Sequence, residues 1–123
     1  VLYPENVNRS EVITLIHHRF GAPQDAPFST YPEHFVFRVP GGKWFALLLR
    51  IEDNKIGGTT TELVDVLITK NDPDRIAMLL THPAHAPAYH INKTHWISTR
   101  IDMCEPVDIE ELLVDSYDAV AHS

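Results

Sequence analysis

The stretch "HFVFRVPGGKWFALLLRI", residues 34–51, decides the fold class. Two runs rich in β-branched and aromatic residues flank Pro40-Gly41-Gly42. Proline pre-sets one backbone angle of a turn and glycine accepts the positive φ that tight turns demand, so the triplet reads as a hairpin turn and its flanks as strands. Strands joined this closely must run antiparallel. Working outward, "EDNKIGG" (52–58) is a loop with turn chemistry, and Glu62 to Thr69 reads as a third strand.

Helical signals lie on both sides. Asn8 with Glu11 three residues on predicts a capped helix start. Val12, Leu15, Ile16 and Phe20 then mark one apolar helix face, and Gly21 supplies the stop. Residues 22–33 hold three prolines and read as an irregular connection. Downstream, Asp72-Pro73 announces a helix with Ile76, Leu79 and Leu80 on its apolar side, ending at Pro83. His95 to Ile101 is strand-like. Asp108 with Glu111 suggests the start of a last helix, whose stripe is Ile109, Leu112, Leu113, Tyr117 and Val120. The reading is one α+β domain over residues 1–123, in the order α-β-β-β-α-β(-β)-α. It is two-layered, with an antiparallel sheet and the helices on one face.

A chain of 123 residues buries roughly two-thirds of the surface its unfolded form exposes, enough for a core without disulfides. The single Cys104 fits a reducing compartment and leaves a thiolate zinc site short of ligands. No apolar run approaches the roughly 18 residues of a membrane span, and no signal pattern opens the chain, so the expected location is cytoplasmic. Val1 in place of a methionine points to a few residues removed or missing ahead of it.

The net charge of −7 is unevenly distributed. Asp102, Glu105, Asp108, Glu110, Glu111, Asp115 and Asp118 gather near the C-terminus with no basic residue among them. His34–Ile51, with Arg38, Lys43 and Arg50, carries no acid; neither does Arg75–Ile101, with Arg75, Lys93 and Arg100. These two stretches could form a modest basic patch, provided the acidic helix faces away.

The chain carries no G-x-S-x-G elbow, no phosphate-cradling G-x-x-x-x-G-K and no dinucleotide fingerprint, so no catalytic residues are assigned and the expectation is not an enzyme. His82, His85, His90 and His95 lie close in sequence, but without an i, i+4 pair on a sustained helix they predict no metal site, and no cofactor is expected. In "HINKTHWIST" (90–99), Trp96 reads as a largely buried core ring, as does Trp44 in the second strand. Asn92 reads as a turn residue bonding the backbone, and His95 as a buried, hydrogen-bonded imidazole. Lys93 is the contact candidate of the segment.

Three patterns, "GGKWFALL" (41–48), "YHINKTHWIS" (89–98) and "LLVDSYDAV" (112–120), resemble the MmcQ/YjbR family of small bacterial proteins. The most specific part is Asn92-Lys93-x-His95-Trp96 followed by Ser116-Tyr117. The resemblance implies a CyaY-like α/β domain, also likened to secretion chaperones, and two β-hairpins compared to a DNA-binding double wing. It implies Trp44, Asn92, Trp96, Ser116 and Tyr117 as motif residues and brings no catalytic residue. The leading expectation is a small non-enzymatic binding domain for double-stranded DNA, bound weakly at neutral pH. Protonation of the eight histidines would offset the negative charge and strengthen binding. Candidate contacts are Arg38, Lys43, Arg50, His90, Lys93, His95 and Arg100, presented by turns at 40–43 and 90–93 that project as wings. The alternative is a protein-interaction or chaperone-like adaptor in which the sheet or its uncovered edge docks another chain.

Overall fold

The computed structural model describes residues 7–123. Helix α1 (Arg9–Phe20) is followed by strands β1 (Phe35–Arg38), β2 (Trp44–Glu52) and β3 (Leu63–Lys70). Then come α2 (Pro73–Leu79), β4 (His85–Pro87), β5 (Trp96–Arg100) and α3 (Pro106–Ala121), with 3-10 turns at Asp53–Ile56 and Ile101–Met103. The sheet is antiparallel throughout, in the order β1-β2-β3-β5-β4. The element order and the α+β class are those expected.

Local chemistry explains the helix boundaries. Asn8 Oδ1 accepts the Glu11 N–H and Glu11 reaches back to the Asn8 N–H, a reciprocal cap, while Gly21 takes the left-handed conformation that ends α1. Asp72 accepts from the Asp74 N–H, and α2 stops at Leu79, ahead of Pro83. Leu80 lies beyond it, exposed, rather than on its apolar face. The start of α3 is earlier than expected. Pro106 occupies its first position and Glu105 is the cap, because Asp108 bonds back to the Glu105 N–H instead of opening the helix itself.

The helices and the sheet enclose the main core. Val12 and Ile16 of α1, and Ile109, Leu113 and Val120 of α3, pack on Phe37, Phe45, Leu48 and Leu67. A second apolar cluster lies on the opposite face, around Val36, Leu47, Leu49, Ile51, Val66 and Ile68. A β-bulge decides which aromatic goes where. Arg38 pairs with Trp44 and Phe37 with Ala46, leaving Phe45 as the extra residue. Trp44 is thereby turned to the second face, whereas Phe45 enters the helix-side core.

Ser116 of α3 is fully buried. Its hydroxyl donates to the Phe45 carbonyl at 2.5 Å and accepts the Lys70 N–H at 2.8 Å. Tyr117 stacks on Phe20 and meets Phe45 edge-on, each at 5.0 Å between ring centres. Trp96 packs against the second cluster but is only partly buried, and so is Trp44. Both lie on the face that carries no helix, so each keeps part of its ring surface in solvent.

Both sheet edges are blunted. Outside β1, Asp25 exchanges two backbone hydrogen bonds with Val36, and the other edge strand, β4, is three residues long and ends in Pro87.

Candidate functional site

The second face holds a groove of about 700 Å³. Its floor is the alternate residues Leu47, Leu49 and Ile51 of β2, with Trp44 at one end, where Phe28 meets it edge-on at 6.2 Å. Loops supply the walls. From the proline-rich connection, Tyr31 lies parallel to His34 at 4.9 Å, and His34 Nε2 is 3.0 Å from the Arg50 carbonyl. From the loop before β5, Tyr89 lies parallel to His90 at 3.8 Å. Lys55 stands at the rim, whereas alternation along β2 turns the Arg50 and Glu52 side chains to the helix side, where Asp65, opposite Arg50, accepts from Arg9 of α1.

The loop between β4 and β5 folds over the sheet. Tyr89 and Ile91 pack on the second cluster, so the turn at 90–93 lies along the open face instead of projecting as a wing. Asn92 does fix the turn: its Oδ1 accepts the N–H groups of Thr94 and His95. His90 has φ +56°, a left-handed conformation that a side chain with a Cβ resists. His95 is exposed, not the buried imidazole expected, because the turn ends just before β5 and its side chain faces solvent.

The seven candidate cations do not form one patch. Arg38 pairs with Asp25. Arg100 is gripped by both carboxylate oxygens of Asp102 and, at 2.8 Å, by Asp53. Lys43 donates to Ser123 at the end of α3. Arg50 lies 3.9 Å from Glu33 but keeps 42% of its side chain exposed. His90 lines the groove, and His90 and Lys93 border an adjoining hollow together with Lys55. The acids Glu105 to Asp118 belong to α3 or its cap and therefore lie on the opposite face, as a basic patch requires. Sequence reasoning missed Phe28, Tyr31, His34, Lys55 and Tyr89. Two aromatics inside a proline-rich connection were the available signal.

Beneath the Arg100 cluster, Asp53 Oδ2 accepts the N–H groups of Thr59 and Thr60 and the Thr60 hydroxyl. The Thr60 N–H is the largest influence holding this carboxyl below the ordinary aspartate value, helped by the Thr60 hydroxyl, Arg100 and the Thr59 N–H, while burial opposes them. On the helix side, a hollow between α2 and α3 contains His82, His85, Cys104 and Asp108. Burial, with the charge of His82 second, lowers the His85 value, and Asp108 opposes it. Burial pushes the Cys104 thiol up to about 11. Among the described residues, no three histidine, cysteine or acidic groups converge as metal ligands.

Comparison with known proteins agrees with this architecture. A crystal structure of a Pseudomonas syringae protein superposes with a TM-score of 0.89 at 33% identity, covering 92% of this chain and 98% of that one. The Deinococcus radiodurans protein DR2400, a DUF419 domain, gives a TM-score of 0.70 at 27% identity over 98% of this chain and 83% of its own. The "Uncharacterized protein YyaQ" of Bacillus subtilis (strain 168) is 26% identical over 113 residues, covering 90% of this chain and 96% of that protein. The YjbR family profile matches residues 19–119, from the end of α1 to the last turns of α3, and the chain belongs to the YjbR family.

Proposed function

We propose that this chain is a non-enzymatic binding domain that takes nucleic acid on the open face of its sheet. The observation that carries the reading is the division of the molecule. Aromatic walls and the cations Lys55 and Lys93 lie on one face, and the acidic α3 lies on the other. Phosphate is attracted to the first and repelled by the second. No helix is long and apolar enough to cross a membrane among the described residues. The non-enzymatic part rests on the groove's lining, in which the leucines, aromatic rings, imidazoles and Lys55 offer no nucleophile hydrogen-bonded to a base among the described residues.

The test is a salt-titrated binding assay with labelled DNA at low salt and pH 6. Affinity should fall linearly with salt on a log–log plot, and Lys55→Glu with Lys93→Glu should abolish binding while Lys43→Glu stays nearly as tight as the parent. Absence of binding to any nucleic acid under these conditions would overturn the reading.

The apolar floor of Leu47, Leu49 and Ile51 also supports a second reading, an adaptor that receives an apolar segment of another protein. That segment would enter the groove rather than extend the sheet, since Asp25 already occupies the outer side of β1 and β4 is short.

A further inference from the structure

We infer that the groove seats unpaired bases, so that the preferred ligand is single-stranded rather than duplex nucleic acid. This rests on the nucleic-acid reading above and narrows it. A duplex turns its bases inward and offers a convex phosphate surface, which would leave an apolar floor of leucines unfilled. A single strand presents base faces that stack on aromatic rings, and phosphates that follow a row of cations.

The open face supplies both. Two tyrosine–histidine stacks from separate loops wall the same groove, with interplanar angles of 8° for Tyr31–His34 and 12° for Tyr89–His90. Each retains a free face, since Tyr31 is 57% exposed and His90 is exposed as well. His90 is held there by a backbone conformation that is costly for a non-glycine residue, and such residues concentrate at binding sites. The cations then form a track. Lys55, Tyr89 and His90 line both the groove and the adjoining hollow, and the hollow continues to Lys93. The hairpin tip on which duplex binding would depend is occupied differently, Lys43 donating to Ser123.

The experiment compares fluorescence anisotropy of an oligothymidylate of about 12 nucleotides with that of its duplex with oligoadenylate. The single strand should bind about tenfold tighter or more. Tyr31→Ala and Tyr89→Ala should each weaken it by about 5- to 100-fold with the salt slope unchanged, in keeping with base–aromatic stacking. Lys55→Ala should reduce the magnitude of that slope by about 0.7. Tyr31 is largely exposed, so its variant tests the site without threatening the fold, and an unfolding curve confirms the integrity of Tyr89→Ala. Duplex binding equal to or tighter than single-strand binding would overturn this inference and leave the nucleic-acid reading standing. Single-strand binding indifferent to both tyrosines would also overturn it. Binding to neither probe would overturn both.

Discussion

The Ser116 hydroxyl stands between two strands, 2.5 Å from the Phe45 carbonyl to which it donates. The β2–β3 register ends at Ala46 opposite Thr69, so the next rung would join Phe45 to Lys70. Ser116 takes that rung, accepting the Lys70 N–H with the same oxygen. Ser116→Ala orphans both backbone groups at a cost of about 1–3 kcal/mol for each. In urea unfolding this lowers the midpoint with an unchanged m-value.

Trp96 is expected to matter less than a core tryptophan. Full burial would make truncation cost about 3–5 kcal/mol. Part of the ring faces solvent, so Trp96→Ala should cost about 1.5–3 kcal/mol. A loss at the upper end of the first range in denaturant titration would place the ring in a tighter environment than the open face provides.

Gly58 leaves the space that the Asp53 carboxylate fills. A Cβ there would lie 1.9 Å from Asp53 Oδ2, closer than any side chain tolerates. Gly58→Ala therefore displaces a buried carboxylate from Thr59, Thr60 and Arg100, and a fall in Tm of about 5 °C or more is expected by calorimetry. Gly57, whose φ is +92° but whose Cβ would meet nothing within 4 Å, should lose less on the same substitution.

Acid should release the same carboxylate. Its folded value lies below the ordinary 3.8, so the unfolded state binds the proton more readily. The stabilisation is fully present above the unfolded value and is lost as pH falls through the folded one. The acid limb of stability against pH should accordingly be steep below pH 3.8, and shallower in Asp53→Asn. Identical limbs in the two proteins would assign acid sensitivity elsewhere.

Cys104 should be inert. Its thiol is buried and its pKa is raised to about 11, first by burial and then by Asp108 and Asp102, so almost no thiolate exists at neutral pH. An aromatic disulfide reagent should titrate no thiol in native protein and one in guanidinium, read as released thiolate absorbance.

Much of the fold was legible because its signals are local. The glycine turn, the Asn8–Glu11 cap and the α3 stripe each lie within a few residues of what they control. The α3 start was misread for the same reason: Asp108 followed by Glu111 mimics a cap, but Asp108 serves the cap at Glu105 from inside the helix. The groove was not legible. Strict alternation from Ala46 would put Trp44 in the helix-side core, and the bulge at Phe45 reverses it. The free cations were also hidden, since Arg38, Arg50 and Arg100 meet acids at Asp25, Glu33 and Asp53 that sequence proximity does not pair with them.

The strand order also sets a sequence of events in time. β1, β2 and β3 pair with their immediate neighbours along the chain, closing short loops at small entropic cost. β5 reaches β3 only after α2 and β4 have been made, and the bond from Ser116 to Phe45 spans 71 residues. At the ordinary synthesis rate of about 5–20 residues per second, the first three strands leave the ribosome some seconds before Ser116 does. Throughout that interval Phe37, Phe45, Leu48 and Leu67 have α1 but still await α3, so the nascent meander exposes apolar surface that a chaperone would shield.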